Sequence, residues 1–293
     1  MGPGHPERPE RLVAILQSLK DPELAALEWH EAPSATVEQI ARAHPRVYVE
    51  AILGAVPKAG RVVLDADTCL SAGSGKAALR AAGAVCAAVD AVAEGSARNA
   101  FCAVRPPGHH AEPSTAMGFC LFNNVAVGAH QARSRRGLRR IAVMDFDVHH
   151  GNGTQAMFED DAELFYASTH QMPLYPGTGA ARETGRGNIC NAPLPPGAGS
   201  AEFRAAMTER VLPALDAFRP DMLLISAGFD AHQADPLANL RLEEADYAWA
   251  TDQLLELARR HCGGRVVSAL EGGYDLEALA ASAAAHVRRL LTA

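Results

Sequence analysis

Short apolar runs recur along the chain and alternate with stretches of helical character. Five of these runs are too short for independent helices, and they lie at residues 100–104, 141–144, 164–167, 222–225 and 266–270. Helices are predicted beside them at residues 76–95, 201–218 and 243–260. Short continuous apolar runs joined by helical crossovers are typical of buried parallel strands. The pattern therefore predicts an α/β fold in which helices flank a mostly parallel central sheet.

Each apolar run is followed at once by a loop of polar, glycine and proline residues. In chain order these loops read RPPGHH, DFDVHHGNG, STHQMPLYPGTG, SAGFDAHQADP and EGGYD. In open α/β sheets, sites form in the crevice beyond the carboxyl ends of the strands. We therefore expect the five loops to converge there and to form one site.

Length and charge narrow the possible classes of protein. The chain has 293 residues, of which 48% are hydrophobic, and a formal net charge of −7. This length suits one large domain over residues 1–293 with a sizeable core. The acidic balance argues against broad contact with nucleic-acid backbones, which requires a basic surface. The basic cluster of Arg133, Arg135, Arg136, Arg139 and Arg140 is interpreted as a solvated connection between elements.

Hydropathy and cysteine usage indicate a cytoplasmic protein without a membrane partner. No apolar stretch is long enough to span a bilayer, and the N-terminus MGPGHPERPERL lacks an apolar signal region. The six cysteines have no zinc-finger or thioredoxin spacing, so we expect free thiols in a reducing compartment. The sequence leaves the oligomeric state open.

Two of the five loops carry residues suited to a metal ion. Asp145, Asp147 and His149 are spaced by two, so an extended chain places their side chains on one face. Asp230 and Asp235 come from the loop after another run. Two carboxylates and one imidazole are typical ligands of a catalytic zinc ion that keeps one open position. The alternative is that the aspartates cap loops and the histidine is an ordinary polar residue.

Two further loops carry candidates for proton transfer and oxyanion binding. A neutral imidazole at His109 or His110 can take a proton from water and return it to a leaving group. Such an imidazole needs an oriented second nitrogen, for which Asp145 and Asn152 are available partners. Tyr274 follows two glycines and can hydrogen-bond a developing oxyanion, although a packed turn tyrosine is the alternative.

Seven stretches of the sequence resemble the histone deacetylase family, and within it the class II and bacterial amidohydrolase branch. They are HPERPERL (5–12), RPPGHHAEP (105–113), GFCLFNNVAVGA (118–129), DFDVHHGNGTQ (145–155), YPGTG (175–179), SAGFDAHQADPL (226–237) and LEGGYD (270–275). They follow the family's order and span nearly the whole chain. The resemblance implies a single-domain, arginase-like α/β fold and zinc-dependent hydrolysis of N-acyl-lysine amides, with release of acetate or another short carboxylate.

The resemblance also implies roles for individual residues. The implied zinc ligands are Asp147, His149 and Asp235. The implied catalytic set comprises His110 as general base and acid with Asn152 as its partner, His109 paired with Asp145, and Tyr274 on the amide carbonyl. A potassium ion is expected beside the zinc, with ligands at Asp145, Asp147, His149, Ser168 and Thr169. The expected walls of a narrow acyl-lysine channel are Gly118, Phe119, Leu174 and Tyr175.

The substrate class has two alternatives on the same fold. Relatives that select acetylated polyamines carry a glutamate seven residues after the second aspartate ligand, and counting from Asp235 gives Leu242, with Glu243 and Glu244 next to it. An apolar rim favours acyl-lysine peptides over dications. A ureohydrolase-type dimanganese enzyme is less favoured, because no acid follows His149 until Glu159.

Two departures from the family pattern carry expectations of their own. Many class II members have a tryptophan where this chain has Phe146, and we expect that side chain to point away from the metal. Relatives usually carry a strand before the segment GHPE, so an edge strand of the family's sheet is expected to be absent here.

Overall fold

The computed structural model describes residue 2, residues 4–134 and residues 137–293, and at its centre lies a six-stranded sheet. A small antiparallel hairpin, β1 (Arg61–Val63) and β2 (Cys69–Ser71), stands apart from it. The strands of the main sheet are β3 (Asn99–Cys102), β4 (Ile141–Asp145), β5 (Leu164–Gln171), β6 (Ile189–Leu194), β7 (Met222–Ala227) and β8 (Val266–Leu270). Their order is β3-β8-β7-β4-β5-β6, and all neighbours are parallel. The predicted fold class is confirmed.

Helices cover both faces of the sheet. They are α1 (Glu10–Ser18), α2 (Val37–Ile40), α3 (Arg46–Gly54), α4 (Ser74–Glu94), α5 (Asn124–Arg133), α6 (Asn152–Phe158), α7 (Ser200–Ala206), α8 (Leu212–Phe218), α9 (Glu244–Cys262) and α10 (Leu276–Leu291). Side chains of β4 alternate between the two cores: Ala142 and Met144 pack with α9 and α10, whereas Ile141 and Val143 pack with α4 and α5. The central strands are therefore mostly apolar, as is typical of parallel strands covered on both sides, although β4 ends at Asp145 and β5 ends in polar residues.

The predicted elements match the structure except at a few boundaries. The strand predicted at 164–167 continues to Gln171, and the helix predicted at 201–218 contains a π-helical stretch, Met207–Val211, between α7 and α8. The edge strand β6 was not predicted. Its sequence ICNAPL includes Pro193, which an edge strand tolerates because one side of it needs no ladder hydrogen bonds.

The basic cluster lies in the connection between α5 and β4. Arg133 pairs with Asp161 and Glu163, and Arg139 also pairs with Glu163. Arg135 and Arg136 lie outside the described residues. These acidic partners reduce the local positive charge, which fits a solvated connection better than a nucleic-acid surface.

Two further features concern the cysteines and the apolar character of the helices. None of the six cysteines, all of which lie within the described residues, forms a disulfide, and four of them are buried. Within the part of the chain that the structure describes, no helix combines the length and the apolar character that a bilayer crossing requires.

Candidate active site

A cavity of about 250 Å³ opens where the loops after the parallel strands meet. Eight predicted site residues line it, namely His109, His110, Gly118, Phe119, His149, Leu174, Tyr175 and Tyr274. Asp67, Pro107 and Leu237 also line it and were not predicted. Asp67 belongs to the turn of the β1–β2 hairpin, an element that the pattern of apolar runs did not reveal. The loops thus converge as the topology of a parallel sheet requires.

Three potential metal ligands meet at the floor of the site. One donor atom each from Asp147, His149 and Asp230 lies within 4.8 Å of the other two, and all three residues are buried. Nδ1 of His149 is 3.1 Å from Oδ1 of Asp147 and 3.1 Å from Oδ2 of Asp230. Two carboxylates this close together out of water are unfavourable without a cation between them.

Backbone groups aim these carboxylates. The N–H of Val148 donates to Oδ1 of Asp230 at 2.8 Å, and the N–H of Gly272 donates to Oδ2 of Asp147 at 2.8 Å. A Cβ atom on Gly272 would lie 2.0 Å from Oδ2 of Asp230, and one on Gly228 would lie 2.0 Å from Oδ2 of Asp147. Both positions therefore require glycine, because any side chain would displace a ligand carboxylate.

Asp235, which was predicted as a zinc ligand, is not part of this group. Its Oδ1 accepts the backbone N–H of Leu237 at 3.0 Å, and its Oδ2 accepts that of Tyr274 at 2.7 Å. Burial and the charge of Asp230 raise the pKa of this carboxyl to about 7. The structure thus brings Asp230, from the first turn after β7, to the metal group, and uses Asp235 to hold the loop of Tyr274.

The paired histidines differ in their electrostatic surroundings. Nδ1 of His109 lies 2.9 Å from Oδ2 of Asp145, and Nδ1 of His110 lies 2.9 Å from Oδ1 of Asn152. Burial lowers the pKa of His109, but Asp147 and Asp145 outweigh it and hold that pKa well above the usual range. Burial and the neighbouring imidazoles His109 and His149 hold the pKa of His110 well below the usual range. His110 is therefore neutral, with Nε2 available at the cavity.

Arg11, in the N-terminal segment, contacts both the loop and the ring of Tyr274. The buried guanidinium of Arg11 donates to the carbonyl oxygen of Gly273 at 2.6 Å and also to that of Glu271. Its central carbon lies 4.9 Å from the centroid of the Tyr274 ring. The segment HPERPERL was quoted only as a matching stretch, and no role for Arg11 was predicted from it. Local sequence could not reveal this role, because the partners are more than 250 residues away.

The channel walls are aromatic and apolar. The ring centroid of Tyr175 is 5.1 Å from that of His110, and the ring of Phe119 is 5.9 Å from that of Tyr274. Phe119 has φ +68°, and the preceding Gly118 has φ +56° with no room for a Cβ beside His110. A non-glycine residue in this region costs of order 1–3 kcal/mol, which the surrounding packing must offset.

Leu242, which was predicted to lie at the rim of the pocket, does not line the cavity. Its side chain is 1% exposed and packs in the core with α9 and α10. The error follows from the choice of second aspartate: seven residues beyond Asp230 is Leu237, which is 36% exposed and lines the cavity.

Two of the residues predicted to hold potassium, Asp147 and His149, belong to the candidate metal group, and the other three lie in β4 and β5. Asp145 of β4 is the register partner of Ser168 of β5, and both are fully buried. Thr169 follows in β5, and Oγ of Ser168 lies 2.9 Å from Nδ1 of His170.

Comparison with known proteins accounts for this arrangement. The sequence profile of the histone deacetylase domain matches residues 5–290. The chain belongs to the histone deacetylase family. Among its relatives, "Histone deacetylase 14, chloroplastic" from Arabidopsis thaliana is 42% identical over 308 residues, covering 98% of this chain and 73% of that protein. The "Histone deacetylase-like amidohydrolase" of Pseudomonas aeruginosa is 42% identical over 279 residues, covering 93% and 73%.

Solved structures agree with the family assignment. The crystal structure of the HDA15 HD domain superposes with a TM-score of 0.91 at 38% identity, covering 97% of this chain and 82% of that one.

Phe146, which stands where many class II members have a tryptophan, points away from the candidate metal group. It is 1% exposed and packs against Phe229, Tyr247 and His286.

Proposed function

We propose that this protein hydrolyses the side-chain amide of N-acyl-lysine with one zinc ion held by Asp147, His149 and Asp230. The observation that carries the proposal is the convergence of this buried ligand group with His110 and Tyr274 on one cavity. A packed polar core would not leave a neutral imidazole and a phenol facing the same open space.

The donor set fits zinc. One imidazole nitrogen and two carboxylates are typical of catalytic zinc sites, which use three protein ligands and leave a position for water or substrate. Among the described residues, this is the single group of three candidate ligands, which favours one metal ion over a dimetal centre. When bound, zinc makes a water acidic and polarises a carbonyl group.

His110 supplies the proton transfers. Its neutral Nε2 accepts a proton from the attacking water, and the resulting imidazolium donates it to the departing lysine amine. The hydrogen bond from Nδ1 to Asn152 fixes the ring so that Nε2 faces the cavity. The pair of His109 and Asp145 lies beside it, with ring centroids of the two histidines 4.0 Å apart.

Tyr274 stabilises the developing oxyanion. Burial holds the pKa of this phenol well above its usual range, so the hydroxyl keeps its proton and remains a donor. The backbone contacts to Asp235 and Arg11 fix the loop before substrate arrives. A donor fixed in advance loses no reorganisation energy during the reaction, which is how such groups accelerate acyl transfer.

The walls favour a lysine stem over a polyamine. Phe119, Tyr175 and Leu237 offer apolar surface to the methylene chain. Leu237 stands where polyamine-selective relatives carry a glutamate, once the position is counted from Asp230. Asp67 is the one carboxylate among the residues that line the cavity, and it can accept backbone N–H groups of a peptide. The same carboxylate gives some counter-charge to a polyamine, which keeps acetylpolyamine hydrolysis as the second candidate.

A potassium ion is proposed beside the zinc. Asp145 of β4 and Ser168 of β5 are register partners in neighbouring strands, and both are fully buried. Oxygen ligands of this kind suit a hard monovalent cation. Backbone carbonyls of Asp147, His149 and Thr169 complete the proposed set.

A substrate screen tests the function directly. Zinc-loaded protein is assayed with peptides that carry acetyl-lysine and short-chain acyl-lysines, and with N-acetylated polyamines, against Asp230→Ala as the inactive control. We expect the highest kcat/KM on an acyl-lysine peptide. Preference for the polyamines supports the second candidate, and wild-type turnover no higher than that of the control on every substrate contradicts both.

A further inference from the structure

His150, which follows the candidate metal ligand His149 in the sequence, has no role in the proposed reaction. It is buried, and it does not line the cavity. It lies instead behind residues 172–183, which carry Leu174 and Tyr175; we call this stretch the wall segment. A buried polar side chain needs partners, so its contacts indicate what it supports.

His150 takes part in a chain of polar contacts. Its Nδ1 lies 2.8 Å from Oγ1 of Thr178, and its Nε2 lies 2.9 Å from Oε1 of Gln155. The side-chain amide of Gln155 donates to Oε2 of Glu183 at 2.9 Å. Since a carboxylate only accepts, the amide oxygen of Gln155 must face His150. Nε2 of His150 is therefore the protonated nitrogen, and Nδ1 accepts from the Thr178 hydroxyl.

Glu183 fastens the turn of the wall segment. Its Oε2 accepts the backbone N–H of Gly179 at 3.2 Å, and its Oε1 accepts that of Ala180 at 3.0 Å. On the other side, the carbonyl oxygen of Gly179 lies 3.0 Å from Nε2 of His170. Gly179 has φ +89°, and a Cβ there would lie 2.6 Å from atoms of both His150 and His170. The backbone of the turn thus rests directly on two imidazole rings.

The contact between Gln155 and Glu183 is also connected to His110, the proposed proton carrier. Gln155 lies in α6, whose first residue is Asn152, the partner of His110. Tyr175, in the wall segment, packs edge-on against His110 with ring centroids 5.1 Å apart. The contact between Gln155 and Glu183 therefore joins the helix that orients the proton carrier to the wall that faces it.

We propose that Gln155 and Glu183 are positioning residues that set the width of the channel at Tyr175 and thereby the affinity for a linear acyl-amine stem. Neither side chain lines the cavity, so their effect passes through the backbone of residues 178–180. The proposal rests on the proposed function in that the channel is assigned to the substrate stem.

Exchanging the two polar groups tests the pair specifically. Glu183→Gln sets an amide nitrogen against either the Gln155 amide or the backbone N–H of Ala180, and Gln155→Glu sets two carboxylates against each other. In each single variant we expect KM for an acetyl-lysine peptide to rise by about tenfold, with kcat within about twofold, the scale of one lost charge-assisted hydrogen bond. The double variant Gln155→Glu/Glu183→Gln restores a donor–acceptor contact between the two side chains, but the amide nitrogen then faces the N–H of Gly179, so only part of the rise in KM should be reversed.

Inhibitors separate channel width from metal chemistry. The Ki of a long linear hydroxamate, which fills the channel, should rise in both single variants. The Ki of acetohydroxamic acid, which reaches only the metal end, should stay unchanged. Glu202→Gln is the matched control, because Glu202 also accepts a backbone N–H, that of Gly199, but at the start of α7 away from the cavity.

Hydrogen–deuterium exchange provides a readout that is independent of turnover. Amides of residues 174–183 should exchange faster in the single variants and return toward wild type in the double variant, while those of α9 stay unchanged. Unchanged KM and exchange, or a double variant no better than the singles, overturns the proposal. If wild-type protein turns over no acyl-lysine peptide, the proposed function fails, and the exchange data still decide whether the pair positions the wall.

Discussion

The carboxylate of Asp235 accepts the backbone N–H of Tyr274 at 2.7 Å, so this acid holds the loop of Tyr274, and Asp230 is the aspartate in the candidate metal group. The two aspartates are five residues apart in one loop. Because Asp230 belongs to the candidate metal group and Asp235 holds the loop of Tyr274, replacing each of them should have a different effect.

Asp230→Ala should abolish zinc binding and turnover, because it removes one of three buried ligands. Asp235→Ala should keep the zinc and lower kcat, because it frees the backbone of Tyr274. Zinc content after gel filtration, measured by plasma mass spectrometry, and kcat for both variants check this. Stoichiometric zinc in Asp230→Ala, with none in Asp235→Ala, would show that Asp235 is the ligand instead. Two equivalent transition metals per wild-type chain would favour a dimetal enzyme.

Tyr274→Phe should retain zinc and lower kcat by about 10²–10³, the usual loss for one oxyanion donor. KM should change much less, since the phenol acts mainly on the transition state. Steady-state kinetics on an acetyl-lysine peptide measure both. Full activity in this variant would remove the hydroxyl from the mechanism.

His110→Ala should lower kcat at least as far as Tyr274→Phe, because one imidazole serves both proton transfers. Zinc content should remain, since His110 is not in the ligand group. Rescue by added imidazole would identify proton transfer as the missing step. A variant with near wild-type kcat would transfer the role to another residue.

Leu237→Glu should shift selectivity toward N-acetylated polyamines by about one to two decades in kcat/KM relative to peptides, because it places a carboxylate at the cavity wall. Leu237→Gln is the neutral control. Leu242→Glu should instead destabilise the fold, since it buries an unpaired charge in the core. The ratio of kcat/KM for the two substrate classes, measured together with Tm, distinguishes a residue at the cavity wall from one in the core. A change of selectivity in Leu242→Glu alone would show that Leu242, and not Leu237, lies at the cavity wall.

His286→Gln should make stability less sensitive to acid. His286 is fully buried between Thr251 and Ser268, and burial lowers its pKa to about 3 from 6.5. The unfolded chain takes up this proton near pH 6.5 and the folded chain does not, so the stabilisation is complete above pH 6.5 and is lost as the pH falls toward 3. Between pH 7 and pH 5 the loss is about 2 kcal/mol.

Denaturant unfolding of chelator-treated protein at pH 7 and pH 5 measures that difference without interference from metal release. The wild-type fall in the free energy of unfolding should exceed the variant's fall by about 2 kcal/mol. Equal falls would mean that His286 does not resist protonation in the folded state.

The central strands were predictable because both of their faces are buried, which leaves uninterrupted apolar runs such as 141–144. The end of β5 was not, because Ser168, Thr169, His170 and Gln171 are polar and yet buried. Hydrogen bonds compensate for the burial of such side chains, and hydropathy does not register them: Gln171, for example, accepts the backbone N–H of Asn239. β6 was missed for a related reason, since an edge strand needs neither a continuous apolar run nor every N–H group.

The candidate site was predicted residue by residue where a motif fixes the residue's place relative to a strand end. Asp147 and His149 follow β4 immediately, so their direction is set by the strand. Asp230 and Asp235 lie in a turn, where spacing no longer determines direction, and the wrong aspartate was chosen. Arg11 and Asp67 depend on contacts with remote loops, and no local pattern could reveal them.

The sheet order places β4 beside β7, although β5 and β6 come between them in the chain. Asp230 can join His149 only after these non-local strands have paired, and such pairing is slow because it closes a long loop of chain. The candidate three-ligand group therefore forms late in refolding, and in the unfolded chain only Asp147 and His149 of this group are near each other in sequence. Binding of a metal ion by the complete group would thus report the completed assembly of the sheet and could not initiate it.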